Sequence, residues 1–163
     1  MANETPNDEN MQAAAADGDK QLAIQKIYLK DCSFEAPNTP AAFTSEWKPD
    51  VKLNVAMNNT TINDDTVEIV LSITAEATNA EKTAFLCEVQ QAGLFMMKGF
   101  ADVEKQQIYG VYIPGILFPY AREAISDLVG KGGFPQLMLQ PMPFDQLFAK
   151  AQAEAKAKGV ETH

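Results

Sequence analysis

Residues 83–91 read Thr-Ala-Phe-Leu-Cys-Glu-Val-Gln-Gln, a run whose two faces both carry apolar groups. On a strand, successive side chains point to opposite sides. Phe85, Cys87, Val89 and Gln91 therefore share one face, and Leu86 and Glu88 share the other. Neither set is a polar, solvent-facing row. A strand of this kind contacts protein on both sides. The reading is a strand with the fold or a subunit behind it and a partner in front.

Working outward, the preceding sequence is also strand-like. Val67, Ile69, Leu71, Ile73, Ala75 and Ala77 alternate with mostly polar neighbours, and Val51, Leu53, Val55 and Met57 alternate with Lys52, Asn54 and Ala56. Asn58, Asn59, Asn63, Asp64 and Asp65 mark a turn between these two strands, and residues 79–82 turn the chain into the strand of the opening. Further upstream, residues 22–34 read as a first strand. Its pattern slips near Lys26, which predicts a bulge. Beyond the slip, Asp31, Ser33 and Glu35 fall on one face and Cys32 and Phe34 on the other. Pro37, Pro40 and Pro49 make residues 36–50 a long loop, and Phe43 and Trp47 within it either cap the core or wall a groove.

After Gly99 the period changes. Residues 101–109 permit a helix. Ile116, Leu117, Tyr120, Ala121, Ala124, Ile125 and Leu128 recur at three- and four-residue spacing, the mark of an amphipathic helix. Pro114 and Pro119 should break or bend its first turns, and Gly130, Gly132 and Gly133 stop it. An apolar, Pro-containing loop follows. Asp145 is placed to cap a last, shorter helix whose apolar side carries Leu147 and Phe148. Four strands followed by helices give an α+β fold with an antiparallel sheet. The domain reading is an acidic, disordered tail over 1–20, a single folded domain over 21–149, and a frayed C-terminal tail over 150–163.

Composition narrows function. The chain of 163 residues has 22 acidic and 13 basic side chains, a net charge of −9. Glu4, Asp8, Glu9, Asp17 and Asp19 hold much of it in the N-terminal tail. An acidic surface argues against nucleic acid, which requires phosphate neutralisation, and suits cationic protein segments. No apolar run is long enough to span a membrane and no signal peptide is visible, so a bacterial or organellar soluble compartment is expected. Cys32 and Cys87 form neither a disulfide framework nor a metal motif, and are expected as reduced, buried thiols.

Catalysis finds little support. The one histidine is His163, the last residue, so neither cysteine has a base to activate it. The glycines at 130–133 follow a helix rather than open one, so they cradle no phosphate. Asp31 and Glu35 share a face but stand roughly 13 Å apart along a strand. Paired glycosidase carboxylates need about 5–9.5 Å. An acidic row for a cationic partner fits them better. No enzyme activity, cofactor or metal is expected.

Three segments together resemble the SecB protein-export chaperones: Lys30-Asp31 with Ser33-Phe34-Glu35-Ala36-Pro37-Asn38; Thr83 to Gln91; and Ile116-Leu117-Phe118-Pro119-Tyr120-Ala121-Arg122-Glu123 with Phe134-Pro135-Gln136-Leu137 behind it. The resemblance spans about residues 24–148. It implies a homotetramer, a dimer of dimers, with a four-stranded antiparallel sheet and a long helix in each subunit. It implies an ATP-independent holdase that keeps secretory precursors unfolded and delivers them to the motor SecA. Family positions that bind SecA match Asp31, Glu35, Leu86 and Glu88, and positions tied to subunit assembly match Phe85, Cys87, Val89 and Gln91. Positions of the client groove match Trp47, Leu53, Val55, Tyr120, Phe144 and Phe148. Two other readings stand beside this one: a β-sheet adaptor for one dedicated protein partner, and a SecB-like chaperone of a toxin–antitoxin module.

Overall fold

The computed structural model describes residues 19–160. Residues 1–18 of the expected 1–20 tail, and the last residues, 161–163 with His163, lie outside the described residues. Strands β1 (Gln21–Glu35), β2 (Asp50–Asn63), β3 (Thr66–Asn79) and β4 (Lys82–Lys98) form one antiparallel sheet in the order β1-β4-β3-β2. Residues 83–91 lie in β4, second in that order, between β1 and β3. Helices α1 (Asp102–Gln107), α2 (Ile113–Lys131) and α3 (Phe144–Val160) follow.

The register of β1 shifts between Ile24 and Lys26, where the sequence slips, and again between Leu29 and Asp31. Two shifts restore the parity, so Asp31, Ser33 and Glu35 stand opposite Gln90, Glu88 and Leu86. The β2–β3 hairpin is longer than its Asn content predicts: residues 58–63 are strand, and the turn narrows to Asp64 and Asp65. Thr60, Thr61 and Ile62 favour extended backbone. An edge strand that outruns the helix layer can carry polar groups on both faces.

The β3–β4 hairpin turns on Ala80 and Glu81, both left-handed at φ 50° and 64°. Such two-residue turns favour Asn and Gly, because a Cβ is strained there. Glu81→Gly is therefore expected to raise unfolding free energy by about 0.5–1 kcal/mol, the relieved strain exceeding the added freedom of the unfolded chain. Urea denaturation of both chains checks it.

Helix α1 runs into α2 through a wide turn of π-helix at Ile108–Tyr112. Pro114 explains the position: it donates no amide hydrogen, and its ring would crowd the carbonyl four residues back in a regular helix. Pro119 sits inside α2 without ending it. The buried stripe of α2 is Ile113, Leu117, Phe118, Ala121, Ile125 and Val129, packed on Ile69, Leu71, Ile73, Phe85, Val89 and Phe95 of the sheet. This stripe is rotated from the predicted one. Tyr120, expected inward, stays half exposed. Helix α3 continues to Val160, past the predicted fray at 150. Its Ala, Lys, Gln and Glu residues are strong helix formers, although residues 149–159 are all exposed.

Candidate functional site

Two surfaces stand out, one on each side of the sheet. Helix α2 and Phe144 of α3 pack on the face of Phe85, Cys87 and Val89. On the opposite face Ser72, Thr74, Glu76, Leu86, Glu88 and Gln90 are each left partly exposed.

On that open face the cross-strand register builds a compact acidic field. Glu35 of β1, Leu86 of β4, Glu76 of β3 and Lys52 of β2 stand in one row. The next row is Ser33, Glu88, Thr74 and Asn54, and the one after is Asp31, Gln90, Ser72 and Ala56. Residues directly opposite have Cβ atoms about 4.5–5.5 Å apart. Leu86 is thus flanked by two carboxylates, with Glu88 diagonal to both. The structure brings Asp31, Glu35, Leu86 and Glu88 onto one surface and adds Glu76, which sequence reading passed over. The alternation of β3 carried the signal, since Glu76 shares its parity with Thr74 and Ser72. None of these four carboxylates is in an ion pair with a described residue.

Farther along the same face, Glu68 accepts hydrogen bonds from the Tyr28 hydroxyl and from Lys30 Nζ at 2.6 Å. The Lys30 bond, then the Tyr28 bond, hold the Glu68 carboxyl below its usual range. Burial, with the Glu68 hydrogen bond and charge, pushes the Tyr28 phenol up to about 12. This acid is neutralised internally, so the unpaired field is confined to the Leu86 end.

The second surface follows from strand spacing. A helix is about 10 Å across and strands lie about 4.8 Å apart. Centred over β4 and β3, α2 leaves β2 uncovered on the helix side. Leu53, Val55 and Met57 point there, opposite Ala75, Ile73 and Leu71. Across the gap stand Met142, Phe144, Leu147 and Phe148, and these side chains with Gly110 enclose an open cleft of about 600 Å³. Leu53 is 42% exposed and Leu147 42%, a large apolar surface left facing water. Phe144, Leu147 and Phe148 share one side of α3 through their three- and four-residue spacing. Met142 and Gly110 carried no such signal.

Of the side chains expected in a groove, Leu53, Val55, Phe144 and Phe148 line this cleft. Two do not. Trp47 turns into an aromatic cluster, its ring 5.4 Å from Phe134, which also meets Phe43 at 5.0 Å, Phe85 at 5.2 Å and Phe34 at 6.4 Å. The Pro-rich loop therefore caps the core. Asn79 pins it there, accepting from the Lys48 amide and donating to the Glu46 carbonyl. Tyr120 lies on the outer side of α2, away from the cleft.

The expected subunit contacts need correction too. Phe85, Cys87, Val89 and Gln91 are at most 4% exposed in the isolated chain. Helix α2 covers the first three, and Gln91 donates to the Tyr28 carbonyl. Side chains sealed in their own core cannot touch a second copy. Burial, and then the neighbouring Cys32, push the Cys87 thiol up to about 11, so it stays protonated and unreactive at neutral pH, whereas Cys32, expected to be buried, is exposed.

An apolar cleft beside an edge strand and an acidic open sheet face, on an α+β chain of this topology, accompany a match of residues 15–155 to the family model for the preprotein translocase subunit SecB. The chain belongs to the SecB family. Members of this family are chaperones rather than enzymes. Among solved structures, this SecB-family chain is similar to the SecB-like chaperone of Mycobacterium tuberculosis in complex with a ChAD peptide from the HigA1 antitoxin. The two are 19% identical with a TM-score of 0.58, over 74% of this chain and 87% of that one. At this identity the likeness is one of fold. A protein of unknown function from Streptococcus agalactiae is also similar, at 10% identity and a TM-score of 0.42, over 74% of this chain and 98% of the other. No helix among the described residues is long and apolar enough to cross a membrane.

Proposed function

We propose that this chain is an ATP-independent holdase that keeps secretory precursors unfolded in the cytoplasm and passes them to SecA. The observation that carries this reading is the apolar cleft between β2 and α3, open to solvent along an edge strand. A folded protein hides the apolar segments that such a surface recognises. The outer edge of β2 also leaves backbone amides and carbonyls free to pair with an extended client. Several clefts in a homotetramer, a dimer of dimers, raise avidity through effective concentration. Binding by mass action delays folding without fuel, and release then requires a second partner with its own binding energy.

The acidic field around Leu86 is the surface for that partner. Asp31, Glu35, Glu76 and Glu88 attract a basic segment, and Leu86 gives it an apolar contact. Glu88→Lys is expected to weaken SecA binding by about tenfold, roughly 1.4 kcal/mol, while client capture is unchanged. Calorimetry at low salt reads the first and delayed refolding of a slow-folding precursor reads the second. Equal SecA affinity in both chains removes the assignment. Phe85, Cys87, Val89 and Gln91 influence assembly, in this reading, only by setting the position of α2.

A toxin–antitoxin role is the second reading, favoured by the peptide-bound fold relative. It predicts tight capture of one antitoxin segment and little effect on secretory precursors.

A further inference from the structure

The second register shift of β1 falls between Leu29 and Asp31, which makes Lys30 the extra residue of a bulge. In a regular strand two neighbours face opposite sides. Here both reach the open face: Lys30 meets Glu68 there, and Asp31 stands opposite Gln90 in the acidic field. The bulge thus sets a cation beside the carboxylate at the edge of that field. The flexible stem of a lysine lets its ammonium settle on either neighbour, and on Asp31 it would cancel the charge. It settles on Glu68 instead, 2.6 Å from Oε1, while Asp31 is in no ion pair with a described residue. Glu68 is the better held of the two acids. The Tyr28 hydroxyl donates to its other oxygen, and its side chain is only 15% exposed, so its charge is less screened. Tyr28 and Glu68 lie on β1 and β3 with β4 between them, and Ala92, the β4 residue opposite Tyr28, is fully buried. The small methyl leaves room for the phenol to cross.

We propose that Glu68 is a positioning residue of the acidic face: it draws Lys30 away from Asp31 and so keeps that carboxylate free for a cationic partner segment. The inference rests on the reading of the Leu86 field as a docking surface. It adds a rule of specificity to that reading. A basic segment gains Asp31 only while Glu68 holds Lys30, and the field ends at the Asp31 row because the next carboxylate is already taken. The partner's cations are therefore gathered within the roughly 13 Å of strand from Asp31 to Glu35.

Glu68→Gln is the test. Its amide oxygen still accepts from Tyr28, so the crossing survives, but it carries no charge to hold Lys30. The probe is the amidated pentapeptide Lys-Lys-Leu-Lys-Lys, titrated by calorimetry at low salt. Glu68→Gln is expected to bind it about threefold more weakly, the worth of one exposed ion pair. Adding Lys30→Met to Glu68→Gln should restore wild-type affinity, which a merely structural role for Glu68 would not allow. In an Asp31→Asn background, Glu68→Gln should change nothing further, because its effect passes through Asp31. The loss of one more negative charge acting on its own would instead add to Asp31→Asn. Wild-type affinity in Glu68→Gln, or a loss that persists beside Asp31→Asn, overturns the positioning role, and the docking face stands if Glu88→Lys still weakens the peptide. A wild-type chain that binds no peptide, or one whose binding Glu88→Lys leaves unchanged, overturns both.

Discussion

Phe134→Ala is expected to lower unfolding free energy by about 3–5 kcal/mol, the range for truncating a buried aromatic that leaves a cavity. Phe134 is 5% exposed and joins four rings from separate parts of the chain: Phe34 on β1, Phe43 and Trp47 in the Pro-rich loop, and Phe85 on β4. Aromatic pairs at such separations add about 0.5–1.5 kcal/mol beyond their buried area. Without the ring, the loop keeps its polar ties to Asn79 but loses its apolar seat. Urea denaturation should show the lower midpoint, and Trp47 fluorescence should shift towards that of exposed indole. A midpoint within measurement error of wild type would mean that the cluster does not hold the loop.

Leu53→Asp is expected to reduce client capture by about tenfold or more, at about 1.4 kcal/mol per tenfold, with a nearly unchanged melting temperature. The side chain is 42% exposed on an edge strand, so the carboxylate stays hydrated in the free chain. An apolar client segment that covers it must strip that water, and an uncompensated charge is costly to bury. Delayed refolding of a precursor reads the loss directly. Full capture by Leu53→Asp would place the client surface elsewhere.

The parity of residues 83–91 already separated Phe85, Cys87 and Val89 from Leu86 and Glu88, and the register confirms the separation. Alternation is local, so it survives without tertiary knowledge. What lies over each face is not local. A buried face and a subunit face read alike in sequence, and α2 supplied the cover assigned to a second copy. Tyr120 failed for a related reason: a helix rich in apolar residues all round does not declare which third of it turns inward. Trp47 had two stated readings, and the choice depended on Phe134, far away in the chain. The place of Gly110 in the cleft left no sequence signature, because it arises only once α3 folds back on the π turn. Period alone put Leu53 and Val55 on one strand face and Leu147 and Phe148 on one side of the last helix, while a groove at Leu53, Val55, Phe144 and Phe148 was implied by the family resemblance.

A holdase must recognise unfolded chains through a multivalent apolar surface. Light scattering after size exclusion, on the protein mixed with a slow-folding secretory precursor, tests it most directly. The denatured precursor is the sample and its folded form the control. The expected result is a tetramer-sized species that carries the denatured chain and ignores the folded one. A monomer that binds neither form, or equal uptake of both, would contradict it.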